Sequence, residues 1–546
     1  MEAAVQKNEC YTVEIKAMAS EGNGVGKING MTVFVPLTAP GDLALVRIVK
    51  VHRTYCYGRL EELLRPSADR VPSDCSVFSR CGGCAYRHIR YSAELAIKEL
   101  TVQDAFERLG KIETQHLPII GSKRVDEYRN KAQYPVGTDQ NGALCTGFYA
   151  SRSHRIVPCE ACRLQAPEFE MLKQAVLAYA DEYSIPAYDE STGKGILRHI
   201  CIRHAEQTGE WMVVLVVTQG RLPALDKLAE RLTDLVPGTA SLIVNRNRER
   251  TNVILGKECR TAFGKPQITD ILCGNQIAIS PLSFYQVNRD QAEVLYGLAK
   301  AFAQLTGKET LIDLYCGTGT IGLSMADRVK RLIGVEAVPQ AVEDAKKNAV
   351  RNGINNAEFL CADAAEATRS LRERKITPDV VVVDPPRKGC GDTVLCDIAA
   401  MAPERIVMIS CNPATAARDC ARLRELGYIV RKVQAVDMFP RTAHVETVCL
   451  LSKLETKQHI EINLDMDELD LTGAESKATY EEIKAYVLET SGLKISHLYI
   501  AQVKRKNGIL ERANYNLPKN EDAKQPVCPP EKEKAIKAAL EHFGMI

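Results

Sequence analysis

Leu311-Ile312-Asp313-Leu314-Tyr315-Cys316-Gly317-Thr318-Gly319-Thr320-Ile321-Gly322 reads as an apolar strand that breaks into a glycine-rich turn and opens a helix. That order sets backbone N–H groups at a helix start, facing a nucleotide-like ligand. Gly317, Gly319 and Thr320 form the turn, and Tyr315 stands at its entrance. Outward from the turn, a second strand over 331–335 ends at Glu336, at about the spacing where an acidic residue takes the two hydroxyls of a cofactor ribose. A helix over 340–352 then stops at Gly353. A third strand, 357–360, is followed by Asp363; a fourth, 379–383, ends in Asp384-Pro385-Pro386-Arg387-Lys388-Gly389; a fifth, 405–409, delivers Cys411. Strands alternating with helices predict a doubly wound, Rossmann-like α/β sheet whose strand C-termini share one edge. The glycine loop, Glu336, Asp363, Asp384 and Cys411 are therefore expected to line a single crevice.

Two segments add reactive groups to that crevice. Ile409-Ser410-Cys411-Asn412-Pro413 supplies a thiol, and His444-Val445-Glu446-Thr447, after Asp437-Met438-Phe439-Pro440, supplies a carboxylate. A thiolate is nucleophilic and can leave again by elimination; a glutamate can serve as a positioned base. Each segment alone also reads as plain structure. Free cysteine is among the most buried residue types, and a strand Val445-Glu446-Thr447-Val448 could simply turn Glu446 to solvent. The glycine turn, for its part, fits an NAD-dependent dehydrogenase as well as an S-adenosylmethionine (SAM) enzyme. Asp384-Pro385-Pro386 favours SAM, because the tripeptide is similar to that of base-modifying methyltransferases. In those acting on exocyclic amines an aromatic residue usually follows; Arg387 stands there instead, which leaves a ring carbon as the target.

With these segments and Ser283-Phe284-Tyr285-Gln286-Val287-Asn288, the chain resembles the uracil-5 RNA methyltransferases, specifically the 23S ribosomal RNA branch (RumA type), from near the N-terminus to about Leu454. The resemblance implies Cys411 as nucleophile toward uracil carbon 6 and Glu446 as the base that takes the carbon 5 proton. It implies Gln286, Tyr315, Glu336 and Asp384 around SAM, with Asp363 and Thr320 as less constant positions, and Phe284 stacked on a flipped uracil. Core packing is the alternative for Phe284 and Tyr285.

Cys75, Cys81 and Cys84, with Gly82 and Gly83 between, read as metal ligands. Val157-Pro158-Cys159-Glu160-Ala161-Cys162 offers two candidates for a fourth. Spacing alone allows a four-cysteine zinc site; the resemblance implies a 4Fe-4S cluster with Cys162 as the fourth ligand, acting as a structural clamp.

A chain of 546 residues with net charge +2 has no global polyelectrolyte signature, so RNA contact must rest on local patches. Nineteen cysteines without a signal pattern or an 18-residue apolar run point to reduced thiols, a cytoplasmic location and no membrane. Four domains are expected. Residues 1–65 form a small β-barrel resembling a TRAM domain, in which Lys27, Arg47, Lys50, Arg53, Arg59, Tyr55 and Tyr57 are candidate RNA contacts. Residues 66–273 are a β-rich central domain. Its helix 92–109 packs on the catalytic domain, hairpins join 196–203 to 211–217 and 242–248 to 251–255, and Arg129, Lys131 and the basic run 151–155 face RNA. Residues 274–454 form the methyltransferase domain, and 455–546 a mostly helical extension without an assigned function. In that extension an acidic-faced strand spans 460–467, Thr479 starts a capping box, and helices follow near 480–491, 496–506 and after Pro530. They suggest a helix-turn-helix-like module or, more simply, a helical hairpin. The reaction expected is 5-methyluridine formation in 23S ribosomal RNA by a monomer acting on free RNA or an assembly intermediate. Transfer RNA as substrate, or a non-catalytic assembly factor, are the alternatives.

Overall fold

The computed structural model describes residues 5–454, 480–507, 528–543 and 545–546. The expected strand over 460–467 and Thr479 of the capping box lie outside them. The chain divides into two units, Met1–Glu455 and Thr456–Ile546.

In the first unit, the N-terminal sheet has six strands in the order Cys10–Glu14, Leu43–Val51, Tyr55–Arg65, Met31–Val35, Gly24–Ile28, Ala17–Met18. Gly22 turns with φ 81°, whereas Gly24 and Gly26 lie within a strand. There a Cβ would come within 2.0 Å of Thr38 and 2.3 Å of Val13, so the absent side chain lets the sheet close on itself.

The central sheet has seven strands, with Leu197–Ala205 and Glu210–Val217 joined as the expected hairpin. The second expected hairpin is a misreading. Thr239–Arg246 pairs in parallel with Glu210–Val217 and antiparallel with Glu258–Gly264. Residues 251–255 form a loop whose Val253 and Ile254 carbonyls accept from the Asn247 side chain at 2.7 and 3.0 Å, satisfying backbone groups that a strand would pair.

The catalytic sheet has eight strands in the order Ala357–Cys361, Arg331–Glu336, Thr310–Leu314, Val380–Val383, Arg405–Ser410, Glu446–Lys453, Tyr428–Val436, Gln115–Ile120. The first five run parallel. Val380 to Val383 are all fully buried, as expected of a strand covered on both faces. Strand order reverses between Thr310–Leu314 and Val380–Val383, which opens the crevice where such sheets bind ligands. The edge strand Gln115–Ile120 and the helix Tyr91–Asp104 come from far upstream, so residues near 91–120 belong to the catalytic sheet's surroundings.

In the second unit the helices Tyr480–Ser491, His497–Lys506 and Pro530–His542 share a core of Ile483, Val487, Ile500, Val503, Ile536 and Leu540.

Candidate active site

The turn after Thr310–Leu314 is left-handed at three positions, Tyr315 (φ 64°), Gly317 (φ 55°) and Gly319 (φ 83°). At Gly319 a Cβ would press on Leu323, Phe359 and Ala345 at 3.2–3.3 Å; at Gly317 it would meet nothing within 4 Å, leaving bare backbone at the crevice. Glu336 accepts from the N–H groups of Gly317 (3.1 Å) and Val338 (2.9 Å), which locks the strand-end acid against the turn. Thr320 Oγ1 lies 3.1 Å from the Tyr296 hydroxyl. Gln286 is buried in a segment stitched to the central domain: its carbonyl accepts from Asn130 Nδ2 at 2.9 Å, and Val287 O accepts from Asn130 N at 2.9 Å. Asp363 is exposed and caps the helix Ala364–Glu373, accepting from Ala365 N at 2.9 Å.

Asp384 is half-buried, and the desolvation of its carboxyl pushes it up to about 7. Asp313, not singled out from sequence, sits beside it in strand Thr310–Leu314. One oxygen accepts from Gly322 N at 2.8 Å, and the other is buried without a partner. Burial raises it to about 7 against the Gly322 hydrogen bond, with Asp384 and Glu336 adding to the rise. The signal was available: an acid in mid-strand among apolar residues needs a reason to be there.

Cys411 and Glu446, 35 positions apart, meet through sheet register. Ser410 pairs with Thr447 in the antiparallel ladder, so Cys411, which follows Ser410, and Glu446, which precedes Thr447, come together at the carboxyl edge of the parallel strands. Glu446 is pushed up to about 8, first by burial and then by Asp384, with Arg387 opposing. The Cys411 thiol is raised by burial and by Glu446, while Arg387 pulls it back. Arg387 Nη2 lies 3.4 Å from His444 Nε2, and burial, followed by Arg387, lowers the imidazole to about 4, so it is neutral. Phe284 is 69% exposed, whereas Tyr285 is buried with its hydroxyl donating to Asp270 at 2.9 Å. The aromatic pair thus splits into one core residue and one free face. Buried Arg203 holds the loop behind Phe284, donating to Pro281 O (3.1 Å) and Ser283 O (2.6 Å).

Cys75, Cys81, Cys84, Cys159 and Cys162 ring one cavity of about 320 Å3. Burial raises the thiols of Cys84 and Cys159 to about 11 and of Cys162 to about 12, and several of the five sense each other's charge. Among the described residues no three His, Cys, Asp or Glu side chains are close enough to clasp a single metal ion. Arg129 and Lys131 line this cavity too. Lys131, expected to face RNA, is largely enclosed, and burial with Arg203 nearby lowers its ammonium to about 8. The run 151–155 is exposed, with Arg152 paired to Glu21 and His154 to Glu190. On the N-terminal sheet, Phe34, His52, Tyr55 and Tyr57 form a partly exposed aromatic patch with centroids 4.6–6.1 Å apart. Arg47 and Arg59 there are tied to Glu61, while Lys27, Lys50 and Arg53 stay exposed.

Comparison with known proteins agrees with this geometry. The tRNA (Uracil-5-)-methyltransferase family profile matches residues 279–454, and the TRAM domain profile residues 4–60. A protein of Clostridium tetani named "Uncharacterized RNA methyltransferase" is 43% identical over 448 residues, 82% of this chain and 97% of its own length. A similarly named protein of Halalkalibacterium halodurans is 44% identical, covering 82% and 98%. The Pyrococcus abyssi tRNA (uracil-54, C5)-methyltransferase, solved with S-adenosyl-L-homocysteine, superposes with a TM-score of 0.65 at 26% identity, covering 81% of this chain and all of that one. With the glycine crevice, the Cys411–Glu446 register and these relatives agreeing, the chain belongs to the RNA uracil-5 methyltransferase family.

Proposed function

We propose that the protein forms 5-methyluridine at one or more uridines of 23S ribosomal RNA, using SAM and a covalent adduct between Cys411 and uracil carbon 6. The observation that carries this reading is the Ser410–Thr447 register, which brings a thiol and a buried carboxyl to the cofactor edge of the sheet. The crevice fits SAM: the open backbone at Gly317, the locked acid Glu336 and the unpartnered Asp313 oxygen offer donors and acceptors for a nucleoside. SAM bound there supplies the methyl group; Tyr315, Gln286 and Asp384 border it.

Carbon 5 of uracil becomes nucleophilic only once a group has added to carbon 6. The Cys411 thiolate forms the S–C6 bond, and the displaced π electrons move to the carbon 4 oxygen as an enolate. Arg387, beside Cys411, favours the thiolate over the thiol. After carbon 5 has taken the methyl group, Glu446 removes the remaining carbon 5 proton; the electron pair re-forms the C5–C6 double bond and expels the thiolate. A carboxyl pushed up to about 8 is a stronger base than an ordinary glutamate once ionised. A uridine inside folded RNA must leave its stack to reach Cys411, and exposed Phe284 offers a face to receive it.

The five-cysteine cavity fits a 4Fe-4S cluster held by Cys75, Cys81, Cys84 and Cys162, with Cys159 the competing fourth ligand. An all-sulfur donor set around one cavity suits a cluster, with a four-cysteine zinc ion as the alternative. Bound there, it would clamp 75–84 to 159–162. That cavity and the TRAM barrel support ribosomal RNA; the Pyrococcus abyssi relative supports tRNA as the second reading.

The test is methyl transfer from labelled SAM to total RNA lacking 5-methyluridine, followed by mapping. Label at discrete 23S positions as 5-methyluridine supports the proposal, label in tRNA moves the target, and absence of label with tight RNA binding replaces the enzyme by an assembly factor.

A further inference from the structure

The segment Asp437–Arg441 leads directly into His444 and Glu446, and its five successive carbonyls each accept a hydrogen bond from elsewhere in the chain. Asp437 O accepts from Gln291 Nε2 (3.0 Å), Met438 O from Asn288 Nδ2 (3.1 Å) and Phe439 O from Lys98 Nζ (3.1 Å). Pro440 O accepts from the Tyr128 hydroxyl (2.9 Å), and Arg441 O from the N–H groups of Ala85 and Tyr86 (2.8 and 3.0 Å). Arg441 is itself left-handed, with φ 69°, a conformation a non-glycine residue holds only when its surroundings impose it.

At the centre is Lys98, 1% exposed on the helix Tyr91–Asp104. Its ammonium uses three donors on three acceptors: Asp437 Oδ1 (2.7 Å), Glu94 Oε1 (2.8 Å) and Phe439 O. Both carboxylates are fully buried. Asp437 Oδ2 takes the Tyr91 hydroxyl at 2.7 Å, and Glu94 also accepts from Arg441 N at 2.7 Å. A buried ion cluster of this kind contributes little net stability compared with apolar residues of the same size, because desolvation offsets the Coulomb gain. What it does supply is direction, since the bonds just named are made together in one arrangement of the 437–441 backbone, with Arg441 Nη1 3.5 Å from the otherwise unpartnered Glu94 Oε2.

We infer that Lys98, with Glu94 and Asp437, is a positioning residue for the methylation reaction, holding the segment that aims Glu446 at the carbon 5 proton. The inference rests on the reading of Glu446 as the base. It predicts that loosening Lys98 impairs proton removal while leaving attack by Cys411, which enters from the other strand, in place.

The experiment compares two steps in the full chain, using whichever of 23S and tRNA transcripts the wild type methylates. Trapping on 5-fluorouridine RNA reports attack and methyl transfer, since fluorine cannot leave as the proton does; tritium release from 5-tritiated uridine RNA reports proton removal. Lys98→Met is paired with the charge-balanced Lys98→Met/Glu94→Gln in case the single change fails to fold. Tyr91→Phe removes one hydroxyl and no charge. In folded Lys98 variants, trapping should stay within about twofold of wild type while tritium release falls about tenfold or more. Tyr91→Phe should lower release alone, by about threefold, the scale of its hydrogen bond to Asp437; the bond it accepts from Ser122 N at 2.7 Å is lost with it. Release at the wild-type rate per folded molecule, or trapping and release falling together, overturns the inference. Glu446→Gln serves as the control: if it still turns over, the base assignment itself is wrong; if it is blocked while the Lys98 variants release normally, only the positioning role falls.

Discussion

Cys411 and Glu446 are chemically linked because burial acts on both in the same direction. In the free enzyme each favours its protonated form, and Arg387 is the cation that opposes both shifts. Cys411→Ala should bind RNA and never methylate it. Glu446→Gln should accumulate a protein–RNA adduct that survives denaturing electrophoresis. Tritium release should rise with pH through about 8 as Glu446 ionises, and go on rising above it as the raised Cys411 thiol ionises. Stability carries the opposite sign. An unfolded glutamate ionises near 4.5 and this one near 8, so the stability of the neutral buried carboxyl is full below the first value and lost as pH rises through the second. Glu446→Gln cannot ionise. Its melting-temperature advantage over wild type should therefore grow between about pH 5 and pH 8.5; a constant difference would show that Glu446 is not the buried titrating group.

At the scale of elements, the glycine turn and the segment 437–441 position the two halves of the site. Gly319 combines φ 83° with three side chains 3.2–3.3 Å from where a Cβ would stand. Gly319→Ala should raise the KM for SAM about tenfold or more while leaving RNA affinity unchanged, measured by titration of each ligand separately. The strands from 310 to 410 were legible because parallel strands buried on both faces are continuous apolar runs ended by glycine, proline or acid. The partner of Thr239–Arg246 was not. Two β-like stretches, 251–255 and Glu258–Gly264, follow it, and the Asn247 side chain, which satisfies the nearer one as a loop, has no signature in local pattern.

Over the whole molecule, a net charge of +2 leaves RNA binding to patches. The aromatic group of Phe34, His52, Tyr55 and Tyr57, flanked by Lys50 and Arg53, is the best stacking surface on the N-terminal sheet. Tyr55→Ala should raise the KM for RNA about tenfold, the scale of one lost base stack, with kcat at saturation nearly unchanged. The cysteine loop binds distant parts together: Gly82 N donates to Tyr149 O at 3.0 Å, and Ala85 and Tyr86 hold Arg441 O. Cys84→Ser should lower the melting temperature and speed proteolytic cleavage near 75–84; an unchanged melting curve would argue against a clamp at this site.

From local patterns of apolar runs, glycines and reactive side chains came the doubly wound sheet, a small N-terminal β module, the glycine turn and the cysteine set; the TRAM likeness and the roles of Cys411 and Glu446 came from the resemblance. Helical packing in the second unit was equally local, with Ile536 and Leu540 on one face. Folding in three dimensions alone settled the rest. It set Glu446 against Cys411 by antiparallel register, turned Lys131 into the cysteine cavity, left Phe284 bare beside buried Tyr285, and brought Lys98 to Asp437 across 339 positions. Such pairings depend on contacts between residues far apart in the chain, and no short window of sequence contains both partners.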